Sequence, residues 1–278
     1  MKKNILLLIL SFFLITALFG QNLNQGLRIT VQEFNGELTI ISSQGSVREL
    51  IIPETINGMP IVTIGEGAFT QRGLRRVVIP DSVTSIEENA FSFNDITSLI
   101  IGNNVTSIGT KAFFSNRIET LILGESVNEI GMGAFAQNHI PELAIPESVS
   151  FIGAYAFFLN RLRSLTIPGS VAFIGEGAFS TNRLHTLIME NGIEEIGNGV
   201  FYNNLLTSIT IPGSVQTLGK RVFESRQTLR SAEPPVDYVD ESGEILFTTA
   251  NNFDTYYAAN GSRPGIYTFS RNGWAFEE

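Results

Sequence analysis

The chain contains no cysteine, and this absence excludes more than any residue present. Disulfides, thiolate zinc sites, cysteine nucleophiles and an N-terminal lipid-modified cysteine are all ruled out. Histidine is nearly as scarce, with His139 and His185 the whole complement of 2. They lie 46 residues apart and at different phases of the repeat described below, so no metal pair follows and no cofactor is expected. Charged residues make up 16% of the 278 positions, too few for a disordered chain or a coiled coil. Basic residues are outnumbered 18 to 27 by acidic ones, for a formal charge of −9. That balance argues against nucleic acid or an anionic lipid surface as a partner. Tyrosine and tryptophan number 6 and 1, so the 21 phenylalanines stand out. An aromatic with no phenol or indole handle serves packing.

A span across a bilayer needs roughly 20 apolar residues. The uncharged run from Ile5 to Phe19 has 15. It follows Lys2 and Lys3 and ends before Gly20 and Gln21, which reads as a secretory signal over residues 1–20. Leu18, where a small residue is usual, keeps an uncleaved anchor as the competing reading.

The phenylalanines keep time. Phe69, Phe91, Phe113, Phe135, Phe157, Phe179, Phe201 and Phe223 recur every 22 residues without a slip. Four residues before all but one of them stands Gly, with Glu87 the exception. Three residues after six of them stands Asn, at Asn94, Asn116, Asn138, Asn160, Asn182 and Asn204. The unit is LxxLxIPxSVxxIGxxAFxxN, clearest at residues 162–182. Its LxxLxI segment ends in the alternation of a half-buried strand, stopped by Pro80, Pro146, Pro168 or Pro212. Eight such strands are expected near Leu50, Val77, Leu99, Leu121, Leu143, Leu165, Leu187 and Ile209. The Gly is read as a tight bend and the Phe series as a stacked ladder on the outer side. One such turn cannot bury its own apolar face, whereas stacked turns share a continuous core.

On these landmarks the unit resembles the BspA-type leucine-rich repeat, and the resemblance covers about residues 47–232. It implies an α/β-type repeat solenoid, a horseshoe with a parallel β-sheet on the concave face, an irregular or short helical convex face, and β-rich caps. It further implies secreted, periplasmic or surface-exposed bacterial proteins used in attachment to host proteins or other cells. Residues 21–46 carry two alternating runs around Asn35-Gly36, a hairpin that would cap the first turn. Residues 233–278 leave the 22-residue register and form either a β-rich cap or a small module.

Nothing points to an enzyme. The Gly-x-Gly pairs recur with the repeat and lack a following Gly-Lys-Ser, so they are not a phosphate loop. The Asn series is read as buried amides satisfying backbone groups of the adjacent coil. The variable positions are more informative. The third and fifth positions of LxxLxI point outward. The fifth gives Ile51, Val78, Ile100 and Ile122 in succession, rimmed by third positions such as Arg76 and Thr120. This predicts an apolar stripe for a protein partner, against the plainer reading that β-branched residues suit strands. Arg117, Arg161 and Arg183 share one phase just before the strand and form a basic ridge for an acidic partner or sulfated sugar, or a merely solvated edge. Two further readings stand beside protein binding: carbohydrate binding through Tyr256, Tyr257, Tyr267 and Trp274, and self-association as an envelope protein.

Overall fold

The computed structural model describes residues 13–18, 26–224, 238–239, 245–247, 257, 261, 263–270 and 273–277. Within residues 1–20, Phe13–Leu18 is a strand paired antiparallel with Leu27–Phe34; the rest of that segment lies outside the described residues. Leu27–Phe34 and Glu37–Gly45 form a hairpin. Its turn residues Asn35 and Gly36 both have positive φ, 52° and 82°, as a two-residue hairpin turn requires.

From there the chain winds in coils with three sides. The first side is a column of parallel strands: Glu49–Ile51, Arg76–Val78, Ser98–Ile100 and Thr120–Ile122, each paired in register with the next. Ser164–Ile167 and Thr186–Met189 continue it. Ser208–Ile211 ends it and takes Gly265–Ser270 as an antiparallel partner, which pairs in turn with Gly273–Glu277. We call this the long-strand face. The second side is a continuous column of short parallel strands from Met59–Ile64 to Thr217–Leu218, joined at its start to Glu37–Gly45.

The third side carries the phenylalanines and is the first departure from expectation. Between residues 26 and 224 no helix forms, so the α/β description does not hold, and of the irregular or short helical face expected it is the irregular form that occurs, as a chain of tight turns. The reason lies in where the N–H groups go. Ala68 donates to Gly65 O and Thr70 to Gly67 O within the coil, whereas Gly67, Phe69 and Gln71 donate to Glu88, Ala90 and Ser92 of the following coil. A helix needs every N–H to point along its own axis; here alternate donors are shared with a neighbour. The alternation puts two residues per coil in the left-handed region, for example Gly133 at φ 62° and Gln137 at φ 58°.

The phenylalanine rings lie inside, not on an outer side. All eight are at most 3% exposed, with centroids 5.0–5.8 Å apart and planes within 9° of parallel. Each buried Asn locks two coils together. Asn116 accepts from Ile96 N–H at 3.1 Å and donates to the carbonyls of Phe91 and Phe113 at 3.0 and 3.1 Å. The same set recurs at Asn138, Asn160, Asn182 and Asn204, and Asn94 reaches Arg72, Leu74, Phe69 and Phe91.

Two other expectations change. The Gly before Ala-Phe serves close approach rather than a bend: a Cβ on Gly131 would sit 2.7 Å from the carbonyl carbon of Gly109 in the preceding coil. And the strand expected at Leu143 is missing. In neighbouring coils Thr97, Glu119 and His185 donate their N–H to Arg75, Thr97 and Arg163. The equivalent residue is Pro141, which has no N–H to give Glu119. The long-strand sheet therefore stops at Thr120–Ile122 and resumes at Ser164–Ile167.

Candidate functional site

The outward positions of the long-strand face divide at Pro141. Before it, Ile51, Val78, Ile100 and Ile122 are direct cross-strand neighbours. Ile51 and Ile122 are 40% and 51% exposed, and the middle two half-buried. The break enlarges this apolar surface. Leu99 and Ile101 are buried, as are Leu165 and Ile167, but Leu121, Leu123, Leu143 and Ile145 beside the missing rung are only partly covered. Core side chains thus extend the stripe into the gap. Among the rim residues Arg76 pairs with Glu49 at 3.0 Å and Thr120 is exposed.

Beyond Pro141 the outward residues are Glu142 and Ala144 of the missing rung, then Ser164, Thr166, Thr186, Ile188, Ser208 and Thr210, all exposed. The basic ridge runs along the rim where these strands begin. Arg117, His139, Arg161 and Arg183 occupy successive coils, each N–H bonded to the coil before. His139 shares its phase with the three arginines, a placement that residue spacing alone discloses. Burial and the flanking Arg161 and Arg117 lower its pKa below the ordinary 6.5, with Glu119 opposing. Arg163 and His185 are adjacent in the next column, joined by His185 N–H to Arg163 O at 2.9 Å. Arg117 pairs with Asp95 at 3.3 Å.

The sequence also gave no warning of a third surface. On the turn side Phe93, Tyr155 and Leu159 are 40–50% exposed and hold φ of 55–58°, at phases occupied elsewhere by Gly or polar residues. Phe114 and Phe158 pack edge-on against Phe93 and Tyr155.

No group of His and acidic side chains suited to a metal occurs among the described residues. The shallow pocket of about 330 Å³ between Tyr155, Glu176, Tyr202 and Arg221 carries the Tyr155–Glu176 hydrogen bond, which raises the tyrosine's pKa, and no nucleophile set beside a base. Of the C-terminal aromatics, Tyr267 is fully buried and donates to Arg263 O, and Tyr257 is 8% exposed. Tyr256 lies outside the described residues.

Stacked parallel coils with a strand column, an internal ladder and a variable outward face define a leucine-rich-repeat solenoid. The family model described as the BspA type leucine rich repeat region matches six copies over residues 42–160 and 151–270, and the chain belongs to that family. Among solved structures it is similar to a leucine rich repeat protein of T. pallidum, at 23% identity and TM-score 0.50, covering 58% of this chain and 77% of that one. It is also similar to a leucine rich cell surface protein of Faecalibacterium prausnitzii, at 23% identity and TM-score 0.51, covering 94% of this chain and 60% of that one. Likeness at this identity speaks for the fold alone. No curated protein matches the sequence. No helix among the described residues is long and apolar enough to cross a membrane.

Proposed function

We propose that this is an exported, non-enzymatic adhesin-like protein that engages a host or cell-surface protein through the N-terminal half of its long-strand face. Membership of the BspA-type family supports placement outside the cell, as does the signal-like segment 1–20. The observation that carries the reading is the in-register row of Ile51, Val78, Ile100 and Ile122, prolonged by the half-open core at Leu121, Leu123, Leu143 and Ile145. A contiguous apolar surface on a rigid sheet favours a protein partner, because its contact residues are ordered before binding.

The test is binding of the full chain to immobilised extracellular-matrix proteins and to intact cells, compared with Ile100→Asp/Ile122→Asp. Both side chains point outward, so the variant keeps its fold by circular dichroism and loses attachment. Attachment unchanged in a folded double variant would sink the assignment.

A further inference from the structure

We infer that the rim at Arg161, Arg163, Arg183 and His185 is a second binding surface, for an anionic polysaccharide lying along the solenoid axis. It shares no residue with the apolar stripe and stands or falls separately from the protein-docking reading.

Charge on this rim runs against the composition of the chain. The formal charge is −9, yet across the two rim columns the acids are Asp95 and Glu119, both before the break, and Asp95 is taken up by Arg117; beyond the break the adjoining outward rows hold one acid, Glu142, one coil before Arg163. Arg161, Arg163 and Arg183 are exposed and have no ion-pair partner among the described residues. Four cationic or protonatable groups thus form a two-by-two block on two coils, at the roughly 4.8 Å spacing of paired strands. His139 and Arg117 prolong one of its columns.

A linear polymer with regularly placed charges suits such an array. Guanidinium is a planar fork that grips sulfate or carboxylate oxygens in pairs, and its weak hydration makes the exchange favourable. The surface beside the cations favours a sugar over an acidic peptide. It presents the hydroxyls of Ser164, Thr166, Thr186, Thr207, Ser208 and Thr210, all exposed, and Ile188 is the lone large apolar side chain in their rows. Extended peptides take their specificity from pockets for alternate side chains, whereas this surface is covered mainly by hydroxyl side chains. Sugar hydroxyls are instead met by donors and acceptors in rows.

The experiment measures heparin binding by the full chain in a sodium chloride series, with chemically desulfated heparin and poly-L-glutamate as comparison polymers. Heparin is expected to bind at low salt and to weaken steeply as salt screens the array. Arg161→Ala/Arg163→Ala/Arg183→Ala is expected to lose roughly tenfold or more in affinity, while Arg76→Ala and Ile100→Asp/Ile122→Asp bind as the parent does. Should the triple variant lose its β-sheet signal, Arg183→Ala alone carries the test, with a smaller loss. Absence of heparin binding at low salt, or unchanged affinity in the folded arginine variant, overturns the proposal. Poly-L-glutamate binding as tightly as heparin overturns the polysaccharide assignment in favour of an acidic peptide. Loss of heparin binding in the isoleucine variant overturns the location.

Discussion

On either side of Pro141 the same scaffold carries two different surfaces. Before it, Glu49 pairs with Arg76 and Asp95 with Arg117, while Arg75 and Glu119 carry opposite charges without an ion pair among the described residues, and the exposed row is Ile and Val. Beyond it, the row is mostly Ser and Thr and the arginines stand unmatched among the described residues. Underneath, the ladder is the same in both halves: Phe rings stack at 5.2 Å for Phe91–Phe113 and 5.3 Å for Phe157–Phe179, and the Asn bonds of Asn116 and Asn182 are the same set. Exposed ion pairs add little stability, so neither pair is needed to hold the coil. Because each coil contacts only its neighbours, outward residues change without disturbing the core, and one solenoid can keep two chemistries apart.

Three measurements sharpen or break this contrast. The largest effect is common to both halves. Phe113→Ala and Phe157→Ala, each emptying a fully buried ring site, are expected to cost about 3–5 kcal/mol apiece in urea unfolding. Losses differing by more than the spread of that range would mean the scaffold is not uniform. Pro141→Glu comes next. It supplies the N–H that Glu119 O lacks, and should extend the sheet through Leu143 for a gain of about 1 kcal/mol. Hydrogen exchange should slow at residues 143–145; unchanged exchange there would detach the break from the proline.

The smallest effect concerns His139. Its folded pKa lies below 6.5 through burial and the flanking arginines, so as pH falls the unfolded chain takes up the proton first. Stability should therefore decline slightly from about pH 6.5 down through the folded pKa, and be unaffected above. An NMR titration should place the midpoint below 6.5 in the free protein and move it upward with heparin bound. A midpoint indifferent to heparin would confine the polysaccharide surface to the coils of Arg161 and Arg183.

Much of this architecture is legible from the repeat because the framework residues never change phase. Phe113 and Asn116 announce a stacked core and an inter-coil lock by their spacing alone. The turn side is not legible in the same way: Ala-Phe at a buried position fits a short helix as well as a turn, and only the alternate sharing of N–H groups between coils decides. The break escapes notice for another reason. Leu143 and Ile145 keep the strand pattern, so the rung reads as intact, and the missing donor two residues earlier at Pro141 leaves no mark on hydrophobic periodicity. The outward rows are readable as residue types; the opening of Leu121 and Leu123 beside the gap is a consequence of that donor and needs the structure.

The Asn ladder also gives the molecule a direction. Every one of these amides reaches back: Asn160 closes the coil of Phe135 and Ile140, and Asn182 that of Phe157 and Leu162. A coil is thus completed by the one that follows it in the chain. Delivered amino end first, from a ribosome or through a translocation channel, the protein finishes its turns in the order they arrive and carries one open turn at its advancing edge. No asparagine stands three residues after Phe223, so the coil of Phe201 and Leu206 cannot be closed by the device that closes those before it.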